Sequence, residues 1–92
     1  MNPQEAIEAP RFASYSFPLT NIMNNYEPGV LRCEMNIKEN VIDNLSKLGH
    51  KIKLWDQKSY LAGGLCAIQI NNELKTLTAG ADPRRDAYAI GR

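Results

Sequence analysis

This sequence is short of the residues from which most catalytic and metal sites are built. Histidine occurs once, at His50, and cysteine twice, at Cys33 and Cys66. Neither cysteine has a second cysteine or a histidine at metal-ligand spacing, which excludes the usual zinc and iron–sulfur patterns. Each sits in an apolar run, "VLRCEM" and "GLCAIQI", where a buried free thiol is the expectation. Phosphate-cradling glycine loops and the Gly-x-Ser-x-Gly elbow are missing as well, so no metal and no cofactor is expected. Positive charge is not in excess either: eleven Lys and Arg stand against ten Asp and Glu, a net charge of +1. That removes the electrostatic case for a nucleic-acid or anionic-membrane partner. No apolar run approaches the roughly 20 residues of a membrane helix. The opening "MNPQEAIEAP" lacks the basic-then-apolar order of a signal peptide. Read as a complete chain, the protein is expected in the cytoplasm.

What is present fits a small globular domain. Of 92 residues, 43% are hydrophobic and 23% charged, which excludes disorder on composition. A single domain over residues 1–92 is expected, burying only about 60–65% of its unfolded surface. Asn2, Pro3 and Glu5 start a short helix with a capping-box pattern, and Pro10 ends it. "RFASYSF" alternates like a strand, and "PLTNIMNNYEPGV" is a long loop ending in a Pro28-Gly29 turn. "VLRCEM" is a second strand. The longer helix is "NIKENVIDNLSKLGH", with Asn36 as cap, Glu39 at box spacing and Gly49 as the left-handed stop. Ile37, Val41, Leu45 and Leu48 form its inward stripe, widened by Ile42. "KIKLWD" is a strand with Ile52 and Leu54 inward, and Asn71-Asn72 is a two-residue hairpin turn between the last two β-rich runs. The fold class is α+β: a mainly antiparallel sheet with one long and one short helix.

Each candidate for chemistry has a plainer role beside it. His50 follows a helix C-terminus, where it is more readily a capping or surface group than a general base. Gly63-Gly64 suits either a tight turn or a loop that a substrate approaches closely. Trp55, Tyr15, Tyr26, Tyr60 and Tyr88 lack the basic groove that would make them a base-stacking platform. The tail "TAGADPRRDAYAIGR" packs Asp82, Arg84, Arg85 and Asp86 around a turn. With Arg11, these form either an anion site or a clamp tying the C-terminus to the fold, since Arg makes geometrically fixed bonds to carboxylates and carbonyls. Arg84 is expected to be at least partly buried, with Arg11 near the C-terminal segment.

"NPQEAIEAPRF", "LGH", "GGLCAI" and "GADPRRDAYAIGR", in this order, resemble the C-terminal part of the small subunit of gamma-glutamyltranspeptidases. The most specific of these segments are "EAPRF" and "GADPRR". The resemblance implies part of an N-terminal-nucleophile hydrolase fold. In that family a threonine freed by self-cleavage attacks a gamma-glutamyl amide such as glutathione and passes the acyl group to water or an acceptor. The threonine, the substrate-carboxylate clamp and the oxyanion glycines all belong upstream of "NPQEAIEAPRF", so no catalytic and no substrate-binding residue carries over, and Gly63-Gly64 is not equated with the oxyanion pair. What carries over is a structural clamp of Arg11, Asp82 and Arg84. The resemblance further implies a fragment whose partner is the upstream part of a parent enzyme or another copy of itself, and a homo-oligomer is expected. A missing upstream part leaves the compartment open.

Overall fold

The computed structural model describes residues 1–17 and 26–92. Its elements are α1 (Pro3–Glu8), β1 (Phe12–Ser14), β2 (Val30–Glu34), α2 (Glu39–Lys47), β3 (Lys51–Trp55), β4 (Cys66–Asn71) and β5 (Thr76–Ala81), with a 3₁₀ turn at Tyr60–Ala62. The fold is α+β, and among the described residues two of the three strand pairings are antiparallel. Two compact units divide the chain: an end unit of Met1–Ala9 with Gly63–Arg92, and a middle unit of Pro10–Ala62. No helix among the described residues is long and apolar enough to cross a membrane.

The middle unit holds the sheet β1-β2-β3. β1 runs antiparallel to β2, pairing Phe12 with Cys33. β2 and β3 run parallel, pairing Val30 with Lys51 and Glu34 with Trp55. A parallel neighbour needs a long crossover, and α2 supplies it. Strand, helix, strand in sequence carries that signal; the element order reads as a mainly antiparallel sheet, and β2–β3 is its parallel exception. The Pro28-Gly29 turn is present, closed by Val30 N–H to the Glu27 carbonyl at 3.1 Å, with Gly29 at φ +76°. Most of the preceding loop lies outside the described residues.

α2 starts later than its sequence signals suggest. Its N-cap is Lys38, which makes no side-chain capping bond. Asn36 instead falls in a turn closed by Ile37 N–H to the Glu34 carbonyl, so the Asn36/Glu39 box does not form. Gly49 ends the helix at φ +101° as expected. The inward stripe is also shorter. Ile37, Val41 and Leu45 border a 180 Å³ apolar groove with Phe12, Leu31 and Cys33, but no α2 residue is fully buried and Leu48 is 78% exposed. On β3 the expectation fails for Leu54, which is exposed; Ile52 is half-buried and Trp55 is the buried residue.

The end unit is built from the hairpin β4–β5 and helix α1. The hairpin pairs Cys66 with Ala81 and Asn71 with Thr76. Its turn spans four residues rather than two, because Asn71 Oδ1 accepts the N–H groups of Glu73 and Leu74 and bends the chain before Lys75. α1 has the full capping box: Asn2 Oδ1 accepts from Glu5 N–H at 2.8 Å, and Glu5 Oε2 from Asn2 N–H at 2.9 Å. Six residues cannot hold a helix alone, so docking must hold it. Gly80 makes the docking possible. A Cβ there would lie 3.0 Å from Ile7 Cδ1 and 3.1 Å from the Gln4 backbone nitrogen, so any side chain would have to push α1 back by a few tenths of an ångström.

Candidate functional site

The charged tail folds inward. Asp82 and Arg84 are 1% and 4% exposed, although both lie within eleven residues of Arg92. Arg84 Nη1 donates to Asp82 Oδ1 at 3.1 Å and to the Ile7 carbonyl at 2.9 Å, while Nη2 donates to the Ala9 carbonyl at 3.0 Å. Ile7 and Ala9 lie at the C-terminal end of α1, where helix carbonyls lack intrahelical partners. The planar guanidinium therefore satisfies a helix end and a carboxylate at once. Asp82 is filled in turn: Oδ1 also accepts the Arg84 N–H at 3.0 Å, and Oδ2 accepts Leu65 N–H at 2.9 Å. Pro83 sits between the partners in a turn that Arg85 N–H closes onto the Asp82 carbonyl at 3.3 Å. Arg85 itself packs over Gly64, whose missing Cβ would lie 2.7 Å from Arg85 Cγ.

Gln4 adds a second tie. Its carboxamide accepts Ala81 N–H and donates to the Ala81 carbonyl, both at 3.0 Å. Together Gln4, Asp82 and Arg84 join α1, the entry to β4 and the exit of β5.

Arg11 acts within the middle unit. Its Nη1 donates to the Ala62 carbonyl at 3.1 Å, joining residues near the two ends of that unit. Beside it lies a residue that the sequence reading passed over. Glu34 is completely buried; its Oε2 accepts Arg11 N–H at 2.9 Å and its Oε1 accepts Ser59 N–H at 3.0 Å. The signal was a lone acid inside an apolar strand, "VLRCEM", which is costly to bury unless bonded.

On the sheet face that carries Arg32 and Lys53, Glu27 accepts from Arg32 Nη2 at 3.0 Å and from Lys53 Nζ at 2.9 Å. Lys53 first, then Arg32, holds the Glu27 carboxyl below the usual carboxylate range. Arg32 also stands 4.7 Å over the Tyr15 ring, and Tyr15 meets Trp55 edge-on at 6.2 Å. Of the other aromatics, Tyr26, Tyr60 and Tyr88 are exposed. His50 is exposed too.

The cysteines part company. Cys33 is fully buried and burial pushes its thiol up; Cys66, expected to be buried, is exposed because the hairpin face that carries it is uncovered. Among the described residues no group of three or more His, Cys, Asp or Glu gathers as a metal site.

Arg32 Nε and Trp55 Nε1 are buried without a hydrogen-bond partner among the described residues. Asp82 and Arg84 spend their donors and acceptors on backbone and on each other, which suits fastening rather than turnover.

The family model for gamma-glutamyltranspeptidase matches residues 1–92. Two solved structures of the protein LmbA superpose with a TM-score of 0.85 at 30% identity, covering 96% of this chain and 15% of that one. The Bacillus anthracis transpeptidase enzyme CapD superposes with a TM-score of 0.67 at 20% identity, covering 97% of this chain and 46% of that one. This chain therefore spans about a sixth to a half of the chains it resembles. No curated protein sequence matches it.

Proposed function

Because the chain belongs to the gamma-glutamyltranspeptidase family, we propose that these 92 residues are the C-terminal structural part of such an enzyme's small subunit. They contribute framework and no reacting group. The parent activity is hydrolysis of gamma-glutamyl amides, glutathione among them, and gamma-glutamyl transfer, carried by a threonine on an upstream polypeptide. Asp82 and Arg84 serve as the clamp of the end unit, and Arg11 as that of the middle unit. The observation that supports this most is the burial of Asp82 and Arg84 with their polar atoms turned to backbone partners. Covalent catalysis needs an activated nucleophile beside a base, and neither clamp offers one.

A second feature supports an upstream partner. Leu54, Ile68, Ile70 and Leu77 are each more than half exposed, and apolar faces of this kind mark contact surfaces. The test is co-expression with an upstream polypeptide bearing an N-terminal threonine. The two chains are expected to co-purify and to turn over a gamma-glutamyl anilide, while the 92-residue chain alone gives the buffer rate. Turnover by the lone chain would overturn the reading. A lone monomer with a cooperative melt and no affinity for the upstream chain would point instead to a free-standing, non-catalytic binding module.

A further inference from the structure

The outer edge of β5 is only partly covered, and the bonds of Gln4 to Ala81 reveal its register. In an antiparallel ladder, alternate residues turn both backbone polar groups to the same side. Ala81 gives its N–H and its carbonyl to Gln4, away from β4. Leu77 and Ala79 share that parity in the unbroken register from Cys66–Ala81 to Asn71–Thr76. Their N–H and C=O groups therefore also point outward, and both residues are exposed. No bond to either from outside the hairpin exists among the described residues. Gln4 copies one residue of an added strand and closes the edge at Ala81. The open stretch is Leu77 to Ala79.

A groove of about 660 Å³ runs along this stretch, with residues 89–92 also lining it. Ile68 and Leu77 give it an apolar side, and its charged side chains, Lys75 and Arg92, are both cationic. We infer that this edge binds one extended polypeptide segment, apolar opposite Leu77 and Ala79 and acidic at its flanks, by strand addition. A second copy fits the charges poorly, since it would bring another Lys75 and Arg92 to a groove already holding both. The inference does not depend on the parent activity, only on the hairpin.

The test is amide hydrogen exchange on the 92-residue chain with and without the probe acetyl-Asp-Val-Thr-Val-Glu-amide. In the free chain, Leu77 and Ala79 should exchange fast while Thr78, bonded to β4, exchanges slowly. Saturating probe should slow Leu77 and Ala79 at least about tenfold and leave Thr78 unchanged. The same peptide with Lys at both flanks should bind about two- to fivefold more weakly, and Lys75→Glu, which leaves Arg92 as the one cation, should remove that preference. Ala79→Pro, which removes an outward N–H and no hairpin bond, should abolish binding while Thr78 stays protected. If that variant loses Thr78 protection, the lost preference of Lys75→Glu decides instead. Slow Leu77 and Ala79 exchange in the free chain, no response to the probe, or protection that rises with the chain's own concentration would each overturn the inference.

Discussion

Each unit is fastened by an arginine, but the two arginines work in different surroundings. Arg11 bonds Ala62 in a unit that also buries Val30, Leu31, Cys33 and Trp55. Arg84 bonds Ile7 and Ala9 in a unit whose one fully buried large hydrophobic residue, among those described, is Ile7. Apolar burial carries the middle unit, and the polar clamp finishes it. In the end unit the proportion is reversed: a two-stranded hairpin is marginal alone, and the Asp82–Arg84 pair with Gln4 does most of the fastening. Burying an ion pair is no sure gain over apolar packing. It does demand one geometry, because any other leaves a charge stranded.

Removing one partner of that pair should therefore have the largest effect. Arg84→Met is expected to cost about 3–5 kcal/mol, the range for breaking a buried pair, read as lost exchange protection across Pro3–Glu8 and β4–β5. A loss below 1 kcal/mol would mean that apolar contacts carry the end unit after all. Next comes Gly80→Val, which places a branched side chain against the α1 backbone; overpacking of this kind costs about 1–3 kcal/mol. Retained Gln4–Ala81 bonds in the variant would show that the contact yields without moving α1.

In the middle unit, Glu34→Gln keeps the size but exchanges one acceptor for a donor facing an N–H, with an expected cost of about 1–3 kcal/mol in a urea titration. Leu45→Ala, half-buried on the groove, should fall near the lower end of about 0.5–3 kcal/mol. The gentlest probe is alkylation. Iodoacetamide at neutral pH should modify Cys66 and spare Cys33 until the unit unfolds, because buried protonated thiols are inert. Equal labelling of both would place the middle core in error.

Local chemistry was legible in the sequence; the fate of each face was not. Asn2, Pro3 and Glu5 specify their cap within four residues, and the Asp82–Arg84 turn is readable because its partners are two apart. Cys66 and Leu54 looked buried because they sit among apolar residues, yet exposure depends on what covers a face, which no window of sequence records. Glu34 was missed for the opposite reason: an acid in a strand looks like a surface residue until Ser59, 25 positions away, brings its N–H. Asn36 shows a third limit, since a competing turn displaced a sound capping signal by two residues.

The bonds from Gln4 to Ala81 and from Arg84 to Ile7 each span 77 positions. A growing chain makes its first residues long before its eighty-fourth, so α1 must wait on the ribosome for the partners that hold it. The middle unit faces no such delay, because its parts are all made in between. Synthesis thus imposes an order, middle first and ends last. Long-range pairings of this kind close slowly, and until they close, Ile7, the one buried residue of α1, stays open to a wrong partner.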